Sequence, residues 1–264
     1  MTLIALTIAG SDSGGGAGIQ ADLKTFSALG VYGASVLTAV TAQNTLGVFA
    51  IEDISVSMVA AQMQAVLDDL QVNAIKIGML ASYDIIRTVA EGLRHFEGPV
   101  VLDPVMVATS GDRLLRDDAV AALKLAMMPR ADLITPNLFE AAILTGLPLA
   151  ETPEEVSRQA LQLQKENARA VLIKGGHGQG SECVDTLLTT DGAFHAFKSP
   201  RLETPNSHGT GCTLSAAIAA QLAHGFDLPT SVGMAKDYLH AALTAGQDLR
   251  IGKGRGPVHH FYAR

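Results

Sequence analysis

The chain has 264 residues, 48% of them hydrophobic and only 17% charged, with a net charge of −7. That apolar content excludes a disordered chain, and the acidic balance argues against a nucleic-acid or anionic-membrane surface. Two cysteines, Cys183 and Cys212, lie far apart with no C-x-x-C, which argues against a disulfide scaffold or a Cys-rich zinc site and fits a reducing compartment.

The N-terminal run is apolar, has no basic start and breaks at Ser11-Asp12. It reads as a buried first strand rather than a signal peptide or membrane span, so a cytoplasmic protein is expected. Short runs rich in Val, Ile and Leu predict strands over 3–9, 35–42, 73–77, 99–102, 131–135 and 169–173. Helix-length amphipathic stretches lie between them, near 18–29, 57–70, 83–95, 117–127, 138–145 and 153–166. Thr152, with Pro153 next and Glu155 three residues on, predicts a capping box. Strands apolar throughout and alternating with helices predict an α/β fold, a mostly parallel sheet covered on both faces. Around 183–197, Asp191-Gly192 between two strand-like runs predicts a small antiparallel hairpin. Long helices over about 211–223 and 230–248 and a Gly-rich basic tail complete a single expected domain, 1–264.

The polar residues at the strand ends carry the functional signal. Asp12 follows the first strand, Gln43-Asn44 the second, Gly78-Met79 the third, Asp103 the fourth, Asn137 the fifth and Lys174-Gly175-Gly176 the sixth. Ligands of open parallel sheets bind outside the carboxyl ends of the strands. A row of acids, amides, glycines and one lysine there suits a phosphorylated ligand, although any one of these turns alone could be ordinary polar punctuation.

In the glycine run Gly14 to Gly18, Gly16-x-Gly18-x-x-Ala21 matches a dinucleotide fingerprint only formally, because no acid ends the next strand to hold a ribose. Beside Asp12 and Asp22 these glycines suit a mobile loop against a small ligand. No G-x-x-x-x-G-K-[ST] occurs. His208-Gly209-Thr210-Gly211-Cys212 runs straight into an Ala-rich helix, whose free amides suit an anion and would lower the pKa of the Cys212 thiol. The alternative is a glycine turn with a small buried cysteine. Thr135-Pro136-Asn137 leads to Glu140, either a carboxylate facing a ligand or simple helix capping. The eight histidines show no metal-ligand spacing; His259-His260 read as surface or packing residues and Cys183 as a buried strand residue.

Taken in order, these segments resemble the ribokinase-like superfamily. Within it the match is to the bacterial bifunctional hydroxymethylpyrimidine/phosphomethylpyrimidine kinases of thiamine synthesis. Ala9-Gly-Ser-Asp-Ser-Gly-Gly-Gly-Ala-Gly18, Thr41-Ala-Gln-Asn-Thr45, Lys76-Ile-Gly-Met-Leu80, Asp103-Pro-Val-Met106, Thr135-Pro-Asn137, Lys174-Gly-Gly-His177, His208-Gly-Thr-Gly-Cys212 and Gly256-Pro-Val-His-His260 carry the likeness over the whole chain.

The resemblance implies ATP-dependent phosphorylation of 4-amino-5-hydroxymethyl-2-methylpyrimidine to its monophosphate and then its diphosphate. It implies substrate contacts at Gly10, Asp22, Gln43 and Met79, and ATP-phosphate contacts at Lys174, Thr210 and Gly211. Mg²⁺ would be held by Asp103 and Glu140, largely through water. The Gly209–Cys212 amides would form an anion hole, with Cys212 standing where most of the superfamily has an aspartate base. The expected partners are the small-molecule substrate and a second copy in a homodimer, with no nucleic acid or membrane. Two alternatives stay open. A pyridoxal kinase on the same fold is disfavoured by Gln43. A non-catalytic pyrimidine- or nucleotide-binding protein is disfavoured by intact Asp103, Glu140, Lys174 and Cys212.

Overall fold

The computed structural model describes residues 2–106, 117–178 and 180–263, and among these nine strands form one sheet. In chain order they are β1 (Ile4–Asp12), β2 (Tyr32–Asn44), β3 (Gly47–Asp53), β4 (Ala74–Ile77), β5 (Val100–Leu102), β6 (Leu133–Ile134), β7 (Ala170–Ile173), β8 (Glu182–Leu188) and β9 (Phe194–Pro200). The spatial order is β3-β2-β1-β4-β5-β6-β7-β8-β9, parallel from β2 to β7 and antiparallel at both edges.

Alternation along each central strand feeds two separate cores. Leu6, Ile8, Ile75, Ile77, Leu102, Ile134, Val171 and Ile173 point to one face, where helices α2 (Val56–Asp69), α3 (Tyr83–Gly92), α4 (Asp117–Ala122), α5 (Leu138–Thr145) and α6 (Pro153–Lys165) supply partners such as Met63, Ile86 and Leu163. Ala5, Ala74, Val101, Leu133, Ala170 and Leu172 point to the other, against α1 (Gly18–Ala28), α7 (Thr210–Ala223) and α8 (Leu228–Gly246). The alanine-rich face of α7 fits this second layer: Ala216, Ala217, Ala219 and Ala220 are all fully buried, so the helix lies close on the sheet.

All six predicted strands are present, with three departures. β1 continues past Ala9 to Asp12, carrying the carboxylate to the sheet edge. β3 was not predicted. It returns antiparallel on β2, pairing Asn44 with Gly47, and its run Val48-Phe-Ala-Ile51 is consecutive rather than alternating, so no period of two marks it. The helix predicted over 117–127 stops at Ala122 and widens into a π turn over Leu123–Met127. Pro129, which has no amide hydrogen, follows in a short 3₁₀ turn, Met128–Arg130. The Thr152/Glu155 capping box forms as predicted.

What the fold does for function is align the carboxyl ends of β1, β2, β4, β5, β6 and β7. Gly78 donates its amide to Ile8, Asp103 to Ile77, Thr135 to Leu102 and Lys174 to Pro136, so residues distant in sequence emerge side by side.

Candidate active site

A cavity of about 730 Å³ runs along this edge. One end is lined by Gly10, Gln43 and Met79. A side chain at Gly10 would crowd this wall, since a Cβ there would sit 3.3 Å from the Met79 sulfur. Met79 packs with Ala39, Ala81 and Val105 into an apolar wall. The Gln43 amide lies 3.0 Å from the Thr41 hydroxyl and 3.5 Å from His208 Nε2.

Above this end lies the glycine loop predicted to be mobile. Here it is pinned from within: the Asp12 carboxylate accepts the amides of Gly14, Gly16 and Ala17 at 2.8, 3.0 and 2.8 Å, and His208 Nε2 stands 2.9 Å away. Burial pushes the Asp12 carboxyl up, but His208 and these amides outweigh it and hold it below its ordinary value.

The middle of the cavity is electrostatic. Lys174 Nζ is 2.6 Å from Asp103 Oδ1, which also accepts the Thr135 hydroxyl at 3.1 Å. Burial disfavours the ammonium, yet Asp103 and Glu140 together raise the Lys174 pKa, so it stays charged. Glu140 is at once a helix cap and a carboxylate on the cavity wall. It closes a capping box with Asn137, with bonds of 2.8 and 2.9 Å. Burial, with Asp103 adding to it, pushes its carboxyl up to about 7 against the pull of Lys174.

The first turn of α7 closes this region. Gly209 has φ 77°, and a Cβ there would lie 1.9 Å from the Gly16 carbonyl oxygen, so this position admits only glycine. Beyond it, the amides of Gly211 and Cys212 come too early to bond within the helix and face outward with the positive end of its dipole. Gly211 also lies within reach of Lys174, whose Nζ would be 3.3 Å from a Cβ added there.

Two expectations are corrected. Asp22 does not line the cavity. It is fully buried behind it, with both oxygens on Lys76 Nζ at 2.9 and 2.8 Å and the Thr7 hydroxyl at 2.6 Å, because the equally buried Lys76 needs a counter-ion. Lys76 lines the cavity in its place; burial disfavours its charge, but Asp22, Cys212 and Asp103 raise its pKa well above the ordinary range. The Cys212 thiol is not acidified. Burial pushes it up to about 11, with Asp22 and Asp103 adding to the rise, and neither Lys76 nor the Gly18 amide compensates. At neutral pH in the empty site Cys212 is a thiol.

Gly10, Gln43, Met79, Asp103, Glu140, Lys174, Gly209, Thr210, Gly211 and Cys212 therefore share one cavity, and Asp22 stands behind it. Asp12, expected at the strand-end edge, lines the cavity too, while Lys76 and His208 join it without having been given a role from sequence. The signal for Lys76 was there, a lone cation inside the apolar strand Ala74-Ile-Lys-Ile77. His260 is buried beside the Thr213 hydroxyl at 3.1 Å, a packing role as read. Among the described residues no three His, Cys, Asp or Glu side chains cluster as a ready metal site. No described helix is long and apolar enough to cross a membrane.

A parallel sheet with a cation, two carboxylates and a glycine-led helix start at its carboxyl edge defines a phosphotransferase of the ribokinase-like class. Residues 12–259 match the profile of the phosphomethylpyrimidine kinase family, and the chain belongs to that family. It is 60% identical over 262 residues to the hydroxymethylpyrimidine/phosphomethylpyrimidine kinase of Rhizobium meliloti, covering 99% of this chain and 98% of that protein. Among solved structures, it is similar to a phosphomethylpyrimidine kinase from Clostridium difficile, at 42% identity and TM-score 0.81, covering 91% of this chain and 99% of that one. It is also similar to a Bacillus subtilis pyridoxal kinase solved as an ADP complex, at 35% identity and TM-score 0.91, covering 100% of this chain and 99% of that one.

The raised Glu140 carboxyl gives a signed pH effect. Its ordinary value is 4.5 and its folded value about 7, so between these the native protein holds a proton that the unfolded chain has released. Its contribution therefore lowers stability as pH rises through that window. Glu140→Gln removes the effect: its stability relative to the parent should rise by up to about 3 kcal/mol from pH 4.5 to 7 and level off above. Urea unfolding of both ligand-free proteins across that range checks this, and a pH-independent difference refutes the raised carboxyl.

Proposed function

We propose that this protein transfers the γ-phosphoryl group of ATP to the primary alcohol of 4-amino-5-hydroxymethyl-2-methylpyrimidine. A second transfer to the resulting monophosphate then supplies the diphosphate for thiamine synthesis. The observation that carries this reading is the shared cavity: Gln43 and Met79 at one end, and Lys174, Asp103 and Glu140 facing the α7 start in its middle. The Gln43 amide offers one donor and one acceptor to the ring nitrogen and amino group, and Gly10 and Met79 hold the ring's apolar faces. The triphosphate lies along Lys174 and the amides of Thr210, Gly211 and Cys212. That leaves the nucleoside the far end, where Leu239 and Leu243 of α8 face Pro200 and Leu202. The ADP complex of the Bacillus subtilis relative supports nucleotide binding on this fold.

Two carboxylates without a third ligand suit Mg²⁺, which commonly keeps several waters and shares its coordination with substrate phosphates. Asp103 and Glu140 would hold it, and it would supply charge neutralisation on the phosphates. In each turnover the acceptor oxygen bonds the γ-phosphorus as the bond to the bridging oxygen of ADP breaks. Lys174 and the helix amides stabilise the negative charge on the transferring group. In the first transfer the alcohol proton passes to an oxygen of the transferred phosphoryl group, giving the monophosphate; in the second the acceptor is a phosphate oxygen already ionised near neutrality. The neutral Cys212 thiol contributes packing at the hole, so Cys212→Ala should slow both transfers to a similar extent. Single-turnover kinetics of each step tests this, and a loss confined to the alcohol step would restore Cys212 as general base.

Substrate choice is tested by ADP release with the aminopyrimidine alcohol, pyridoxal and ribose side by side. The pyrimidine should be preferred, and Gln43→Ala should weaken its binding about 5- to 150-fold, the cost of one unpaired buried polar group. Preference for pyridoxal in the unmutated protein would overturn the reading.

We also propose that the single-domain protein works in the cytoplasm as a homodimer. β3 is an edge strand whose Phe49 is 67% exposed, beside Leu46 at 59% and Val40 at 42%, a face suited to a second copy of itself. Phe49→Lys should then yield a monomer by sedimentation, and a monomeric parent protein would refute the dimer.

A further inference from the structure

The glycine turn after Lys174, residues Gly175–His177, is held by side chains that the proposed chemistry does not use. Asp185 on β8 and Lys236 on α8 are 4% and 7% exposed, and Lys236 Nζ is 2.6 Å from Asp185 Oδ2. Lys236 also donates to the Cys183 carbonyl at 3.2 Å. The other Asp185 oxygen accepts the Gly175 amide at 2.8 Å. Gly175 lies directly on β8, since a Cβ there would fall 1.9 Å from the Val184 carbonyl oxygen. From the opposite side Arg201 donates to the Gly176 carbonyl at 2.7 Å and the Glu182 carbonyl at 3.3 Å.

A buried ion pair is a poor way to gain stability, because desolvating both charges offsets most of their attraction. The placement of this one is more informative. Lys236 shares a helix face with Leu239 and Leu243, which line the nucleoside end of the cavity. Asp185 grips the residue next to Lys174, whose ammonium serves the phosphates. The pair therefore ties the helix under the nucleoside to the turn under the phosphates, with one carboxylate bonded to both.

We propose that Asp185 is a positioning residue for the nucleotide, fixing the Gly175 amide and with it the path of the Lys174 turn, while Lys236 keeps the carboxylate aimed and couples the turn to α8. The inference rests on the nucleotide lying along Lys174, as proposed above. It concerns ATP alone and leaves the Gln43 end untouched.

Neutral double variants separate this role from folding, because neither leaves an orphaned buried charge. Asp185→Ala with Lys236→Met removes the bond to Gly175. It should raise the KM for ATP and the Kd for ADP about 5- to 150-fold while the KM for the pyrimidine alcohol stays at the parent value. Asp185→Asn with Lys236→Met keeps a carbonyl oxygen for the Gly175 amide and should recover most of that loss. Should the alanine variant fail to fold by thermal melting, Asp185→Leu with Lys236→Met fills the volume and tests the same bond. Parent-like ADP affinity in the alanine or leucine variant overturns the proposal. So does an equal rise in both KM values, or an asparagine variant no better than the alanine one. ADP affinity is read by calorimetry without any acceptor, so it stands even if the pyrimidine proves the wrong substrate. Wild-type protein that binds no ADP would instead sink the nucleotide reading beneath it.

Discussion

Charge compensation inside a low-dielectric sheet edge is the constraint on which the rest of this site depends. Three buried lysines line the cavity, and each has its own aspartate: Lys76 with Asp22 at 2.8 Å, Lys174 with Asp103 at 2.6 Å and Lys236 with Asp185 at 2.6 Å. An isolated ammonium at any of these positions would lose its proton or unfold its surroundings. Paired, all three can be kept. They are not equivalent, however. The Lys76 and Asp22 side chains have no exposure at all, whereas Lys174 keeps 12% and Gly211 opposite it has no side chain to block it. The Lys174 pair is therefore open to an incoming polyanion, while the sealed Lys76 pair can only hold geometry.

The same constraint explains what the sequence revealed and what it hid. The strand ends were legible because a parallel sheet delivers them to one edge whatever their neighbours do, so Gln43, Asp103, Lys174 and the Gly209–Cys212 turn could be named from order and residue type alone. Partnerships across the sheet were not legible. Asp22 carries the polarity of a ligand contact, but only the three-dimensional position of Lys76, fifty-four residues away, decides that its oxygens face inward. Cys212 failed for a related reason. A helix start acidifies a thiol, yet here lost solvation and two nearby carboxylates outweigh it. β3 escaped because an edge strand with four consecutive apolar residues has no buried face to impose alternation.

Glycine placement is the second device that makes the site possible. Gly16 and Gly209 meet backbone to ring and backbone to backbone: a Cβ on Gly16 would lie 2.4 Å from the His208 ring, and one on Gly209 would strike the Gly16 carbonyl. The loop after β1 and the start of α7 are thereby locked together, with Asp12 and His208 as the polar bolt. Gln43, which sits against that bolt, inherits its rigidity, so a ring held there meets a preset donor and acceptor rather than a flexible side chain.

The order of the strands has a consequence for how the protein is made. From β4 to β9 the sheet grows by adding each new strand beside the last, so a chain leaving the ribosome can assemble it progressively. One face acquires α2 to α6 along the way. Among the described helices the other has only α1 until α7 and α8, which follow every strand in the chain, emerge to cover Val101, Leu133, Ala170 and Leu172. Until then that apolar face stands open, and a nascent chain in this state is a natural client for chaperones and a natural victim of aggregation. The helix whose first turn we propose as the phosphate cradle is also one of the two that end this exposure.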